Sequence, residues 1–191
     1  MPAKLQLGPG WGAGGKPEVA QQYAEENRER IREALNDGTQ MLFITAGMGG
    51  GTGTGAGPVI ANVAKEKGIL TVGVVTIPFM FEGKVRMGKA LLGVEEMRKN
   101  VDALLVINNQ RLFDIYADGM TTVEQAFAKT DEIVTVAAKS ISEIITMEGI
   151  VNRDFCDVQT VMKDGGNAIM SVGCANGENR IEKAFVDALK S

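Results

Sequence analysis

Histidine is absent from this 191-residue chain, and cysteine occurs only as Cys156 and Cys174, which leaves no ligand set for a zinc ion. Two isolated thiols also fit a reducing compartment better than a disulfide framework. Long apolar runs are missing as well. None reaches the roughly 18 residues needed to span a bilayer, and the start, MPAKLQLG, has no signal-peptide core. A soluble, cytosolic chain with no direct membrane insertion is therefore expected. Concentrated positive charge is the third absence: the net charge is −4, the pI is near 5.0, and the basic residues are scattered. Nothing has the electrostatic footprint of a nucleic-acid binder. No repeat or low-complexity linker divides the chain. An apolar share of 45% is enough to build one large domain, or one domain and part of another.

The richest stretch is 41–66, MLFITAGMGGGTGTGAGPVIANVAKE. Met41 to Ala46 is an uninterrupted apolar run of the kind a parallel strand buried on both faces carries. Between Gly47 and Gly57 seven of eleven residues are glycine, which lets backbone amides approach a ligand without a Cβ in the way. Pro58 suits a first helical turn. Strand, glycine loop and helix start together make an anion site, because the helix N-terminus points free amides and partial positive charge at the loop. A Walker-type loop is excluded, since no lysine follows the glycines. A dinucleotide fingerprint forced onto Gly51, Gly53 and Ala56 lacks its ribose acid, because the next strand ends in Thr76, Ile77 and Pro78. A ligand-free turn would carry the entropy cost of all seven glycines with no return.

Periodicity orders the remainder. Lys4 to Leu7 reads as a short strand, and Pro17 opens a charged helix to about Leu35. Leu70–Ile77 and Ala103–Ile107 are further buried strands. Helices from Pro58 to Lys67 and from Lys84 to Asn100 separate them, the second burying Val85, Met87, Leu91, Val94 and Met97 or close neighbours. Thr121 and Thr122 with Glu124 and Gln125 offer a capping box for a long helix to about Met147. Residues 167–173 read as a strand, and 178–190 as an amphipathic helix with Ile181, Ala184, Phe185 and Leu189 on one side. Strands alternating with helices predict a three-layer, Rossmann-like α/β domain with a parallel sheet. Ligands then belong at the strand carboxyl ends, at loops 47–57, 78–83 and 108–111. Residues 1–147 are expected to form this domain, including the long central helix. Residues 148–191 are expected to form a polar loop and the beginning of a second α+β domain.

GGGTGTG at Gly49 to Gly55 resembles the signature loop of the tubulin/FtsZ GTPases, and the resemblance extends over about residues 4–190. It implies guanine-nucleotide binding, with GTP and GDP as ligands and magnesium accompanying them. By that resemblance Gly49, Gly50, Gly51, Thr52 and Gly53 approach the phosphates. Gly14 and Gly15 match a segment that approaches the γ-phosphate, although Lys16 stands where the family has asparagine. Glu82 and Arg86, in PFMFEGKVRM, match residues that meet the ribose; without the family they are an ordinary (i, i+4) surface pair. Asn109 matches an asparagine directed at guanine, although Asn108 replaces the usual proline. Phe127 and Asp131 match the ring that stacks on the base and the acid that accepts from guanine N–H groups. Phe127 would otherwise be plain core.

Asn152, Asp154 and Asp157 match the family's catalytic loop, with Cys156 in place of alanine. By spacing alone they are an Asx-rich turn and helix cap. A helix of some 26 residues spans about 39 Å and sets them at the far end of the domain, away from their own nucleotide. They are positioned to serve a neighbour's, as head-to-tail stacking of identical subunits requires. The resemblance implies a cytoplasmic, filament-forming GTPase at the mid-cell division site, with itself as first partner and division-ring proteins engaged through regions not seen here. Family members begin with a strand, a first glycine-rich phosphate loop, a helix and a second strand, and nothing in this sequence matches them. The resemblance thus predicts a gap in the sheet and weak GTP binding by this chain alone. Two other readings are a non-hydrolysing fragment or copolymerising relative, and a nicotinamide-dependent oxidoreductase, which the missing ribose acid disfavours.

Overall fold

A computed structural model describes residues 4–116, 121–147, 154–171 and 173–190. Its centre is a four-stranded, all-parallel sheet in the order β1 (Met41–Gly47), β2 (Leu70–Ile77), β3 (Ala103–Asn108), β4 (Gly166–Ala168). The register runs Met41 opposite Leu70, Val72 opposite Ala103, and Ala103 opposite Gly166. Parallel strands need crossovers. They are supplied by α3 (Thr52–Glu66), by α4 (Lys84–Asn100), and by the long run that includes α5 (Asn109–Tyr116), α6 (Val123–Thr146) and α7 (Phe155–Met162). Ahead of β1 lie α1 (Pro17–Glu26) and α2 (Arg28–Ala34); α8 (Arg180–Lys190) comes last.

Side-chain alternation along the strands makes three layers. Ile44, Val75 and Leu104 join Ala61 of α3 with Ala90 and Met97 of α4 on one face. Val72, Val74, Ala103, Leu105 and Ile107 meet Ala137, Ile133 and Val134 of α6 on the other. Beyond α3, Ala20, Ala24 and Ile31 pack on Ala56, Val59 and Val63. Each large apolar side chain so buried contributes about 1.5–3 kcal/mol. The expected three-layer parallel architecture is therefore present. No described helix is long and apolar enough to cross a membrane.

Several local expectations give way. Lys4 to Leu7 forms no strand; its carbonyls are held by side chains, with Asn27 donating to Leu7 O at 2.9 Å and Arg30 to Gln6 O at 3.1 Å. The first charged helix is two, broken at Asn27, whose Nδ2 also donates to Tyr23 O at 2.8 Å. β1 is not buried on both faces: it borders the sheet, only Ile44 is fully buried, and Thr45 is exposed. In α4 Met97 is buried as expected, but the other buried positions are Ala90 and Gly93, neighbours of Leu91 and Val94, while Val85 and Leu91 are exposed. Close approach decides this, since a Cβ on Gly93 would lie 2.5 Å from Thr54 Cγ2. Small residues win the contact and large ones are turned out. The strand expected over 167–173 is shorter, and it joins the same sheet as β4.

Candidate functional site

The glycine stretch is more helical than its composition suggests. α3 begins at Thr52, inside the glycine cluster, and Pro58 lies within the helix rather than at its start. Within that helix Gly53, Gly55 and Gly57 stand where a side chain would collide: a Cβ would meet Gly47 O at 2.7 Å, Pro17 O at 2.0 Å and Met97 Cε at 2.8 Å respectively. The loop proper is therefore short. Met48 N–H donates to Thr76 O at 2.9 Å, and Gly49, at φ +95°, donates to Thr54 Oγ1 at 2.9 Å. Gly49 thus shapes the turn, pressed against Arg86, and its amide is already committed. Gly50, Gly51, Thr52 and Gly53 are different. Their amides have no partner among the described residues, as the first turn of a helix requires of an anion cradle.

The second glycine segment comes to the same place. Gly14 and Gly15 have φ of +57° and +70° in a turn closed by Lys16 N–H to Ala13 O at 3.0 Å. That turn lies on the loop: a Cβ on Gly51 would fall 2.7 Å from Ala13 Cβ and 3.0 Å from Lys16 N. Lys89, from α4, pins it by donating to Gly15 O at 2.6 Å.

Beside the loop, at the carboxyl ends of the strands, opens a cleft of about 310 Å³ whose walls include Gly47, Glu82, Arg86, Asn109, Phe127 and Asp131. Glu82, Arg86, Asn109, Phe127 and Asp131, from three separate segments and each singled out in the sequence, thus face one space. Glu82 is only 11% exposed on its side chain and works twice: Oε1 accepts Phe79 N–H at 2.8 Å, and Oε2 pairs with Arg86 at 3.1 Å. Asn109 is 4% exposed, yet its Oδ1 is buried without a hydrogen-bond partner among the described residues. A buried acceptor left empty costs roughly 1–3 kcal/mol, so it marks a place where a donor is due. Phe127 is 40% exposed and edge-on to Phe79, with ring centroids 4.9 Å apart, so part of its surface stays open. Asp131 is exposed on the next turn of α6, and its carboxylate has no partner among the described residues. An apolar ring, an acceptor carboxylate and an orphaned amide oxygen suit a flat heterocycle presenting N–H donors.

Sequence reasoning missed Thr130 and Val134, which line the same cleft, and Thr45 and Thr76 at the strand ends. The first two were findable: they share the face of α6 that carries Phe127 and Asp131. Asp154 and Asp157 are not in the cleft. They form a reciprocal cap at the start of α7, Asp157 N–H donating to Asp154 Oδ1 at 2.9 Å and Asp154 N–H to Asp157 Oδ2 at 3.3 Å. Asn152 lies outside the described residues. Among the described residues no three metal-ligating side chains cluster, so the geometry offers an accompanying cation no all-protein cage.

Residues 4–117 match the model of the tubulin/FtsZ family, GTPase domain. Over its whole length the chain is 57% identical to the cell division protein FtsZ of Porphyromonas gingivalis strain ATCC BAA-308 / W83, of which it covers 42%. An empty FtsZ dimer of M. jannaschii superposes with a TM-score of 0.85 at 44% identity, covering 95% of this chain and 52% of that one. CetZ from Methanosaeta thermophila, at 24% identity and a TM-score of 0.73, shares the fold. The chain spans about half the length of the relatives it matches.

Proposed function

Because the chain belongs to the tubulin/FtsZ family through its GTPase domain, we propose that it is the nucleotide-binding part of a GTP-hydrolysing cytoskeletal protein of cell division. Residues 1–147, with β4 added to their sheet, are its GTP-binding domain, and the rest of 148–191 is its catalytic loop and the opening of a second domain. In this reading Gly50, Gly51, Thr52 and Gly53 donate backbone amides to the phosphates, with Gly49 shaping the loop and Gly14 and Gly15 closing it. Glu82 and Arg86 meet the sugar side. Phe127 stacks on the base while Asp131 accepts from its N–H groups. One observation carries the guanine assignment: Asp131, an exposed carboxylate one turn beyond the Phe127 ring in the wall of the cleft and able to accept two N–H donors at once. Magnesium travels with the nucleotide, held by phosphate oxygens and water rather than by a protein cage.

Hydrolysis requires a second copy. α6 has 24 residues and spans about 36 Å, and the acids follow its far end. Asp154 and Asp157, with Asn152, act on a neighbouring subunit's GTP by orienting and polarising the attacking water. Each acid spends one oxygen on the cap and keeps the other free for that task. Head-to-tail stacking repeats the contact without closing it and builds a filament at the mid-cell division site in the cytoplasm. GTP and ATP competition against a fluorescent guanine nucleotide tests the pocket: GTP is expected to displace it and ATP to fail, and equal displacement would overturn the assignment. Turnover rising more than linearly with protein concentration tests the shared site. Strict proportionality would count against it.

A further inference from the structure

The described residues include a nearly buried carboxylate that the proposed chemistry leaves unused. Asp102 is 5% exposed and precedes β3, at the opposite end of that strand from Asn109, about 20 Å away. Both its oxygens are engaged. Oδ2 accepts Thr71 N–H at 2.8 Å, Oδ1 accepts Asp164 N–H at 3.4 Å, and Lys65 Nζ stands 3.9 Å from Oδ1. The Asp102 carbonyl accepts Gly166 N–H at 2.9 Å. Lys65 then bridges outward, with Nζ 3.1 Å from Asp164 Oδ1. One knot therefore ties α3, β2 and β3 to the turn after α7, a turn that uses left-handed backbone at Asp164 (φ +52°) and Gly166 (φ +74°). The helix on the other side of the turn has little else to hold it. α7 has no buried residue, and only Met162, at its last position, packs on the core.

We propose that Asp102 is a positioning residue: with Lys65 it locks the turn at Asp164 to the sheet and thereby sets where Asp154 and Asp157 stand, one helix length, about 12 Å, away. This rests on the split-site reading above. β2 and β3 border the nucleotide cleft at their carboxyl ends and grip the acids' helix at their amino ends, so one rigid pair of strands presents both halves of the shared chemistry. A charge buried and bonded in this way loses much when its partners go, whereas a surface ion pair loses little.

Lys65→Met deprives no backbone group and is the cleaner variant; Asp102→Asn is the second, and Lys65→Arg the rescue. Amide hydrogen exchange on the full chain is expected to quicken roughly tenfold over 155–166 in the first two while 41–64 keeps its protection. Unchanged exchange over 155–166 would overturn the inference. Turnover at saturating GTP is expected to fall with nucleotide affinity kept, and Lys65→Arg to restore it. In mixtures, Lys65→Met supplies an intact cleft and Asp131→Ala supplies intact acids, so together they should recover activity that neither shows alone. Asp157→Asn with Asp131→Ala is the control. Recovery in the control but not with Lys65→Met would sink the positioning role. Failure of the control itself would remove the split-site reading, and with it the acids' part of the inference, while the exchange result still judges the latch.

Discussion

Asn109 stands in the wall of the cleft with a hydrogen-bonding need that the described residues do not meet. Its side chain is buried, and its oxygen has no donor. Asn109→Ala is expected to leave the melting temperature of the ligand-free chain unchanged or higher, while guanine-nucleotide affinity drops about tenfold, the 1.4 kcal/mol of one good hydrogen bond. Thermal melts with and without GTP measure both at once. Equal stabilisation of the two chains by GTP would contradict it. Glu82 and Arg86 carry a different lesson. The bland reading, an ion pair one turn apart, is physically present, and the same pair lines the cleft. Residue type and spacing showed the pair but not the wall it belongs to.

Among elements, α3 carries most of the design. Its glycines serve contact as much as ligand: Gly55 is where α1 touches, and Gly57 is where Met97 of α4 does. Gly55→Ala would drive a Cβ to 2.0 Å from Pro17 O and should cost at least the 1–3 kcal/mol or so of overpacking, read by urea unfolding. Gly88→Ala on α4 meets nothing within 4 Å and is expected to stabilise by roughly 0.5–1 kcal/mol. A similar loss in both would refute the contact account. At the other end of α3, Glu66 receives Arg28 at 2.6 Å and Arg32 at 3.0 Å from α2. The Arg28 hydrogen bond is the main reason its carboxyl titrates below the ordinary range. A depressed acid stabilises the fold above its unfolded value and loses that contribution as pH falls through the folded one. The stability gap between the parent chain and Glu66→Gln should therefore close below roughly pH 4.3, the ordinary glutamate value. A gap constant with pH would rule this out.

For the whole molecule, the cleft and the acids are separate objects joined by α6. Asp157→Ala is expected to abolish turnover in the assembled form with nucleotide binding nearly intact. It also removes the reciprocal bond of the capping box, from Asp154 N–H to Asp157 Oδ2, while Asp154 still caps α7. Asp157→Asn keeps an acceptor for Asp154 N–H while deleting the charge, so it isolates the chemistry from the cap. Equal loss of binding and turnover in both variants would defeat the shared-site mechanism. The open edge of β1 belongs to this scale too. A strand whose outer amides meet no neighbour among the described residues is a pairing surface.

The sequence by itself determined the alternation of apolar strands and amphipathic helices, hence the parallel three-layer sheet, while it marked the residues of the cleft only through the resemblance to the tubulin/FtsZ GTPases, since type and spacing alone give Glu82 and Arg86 as a surface pair and Phe127 as core. Those signals are short-range, and short-range order is what residue patterns encode. Only the tertiary structure decided which glycines serve packing and which leave amides free, that Ala90 and Gly93 rather than Val85 and Leu91 face inward, and that Lys4 to Leu7 does not pair as a strand. It also brought Asn109, Phe127 and Asp131 to one wall and tied Asp102 to Asp164 across 62 residues. These outcomes turn on the close approach of segments distant in the chain, a quantity that no local pattern carries.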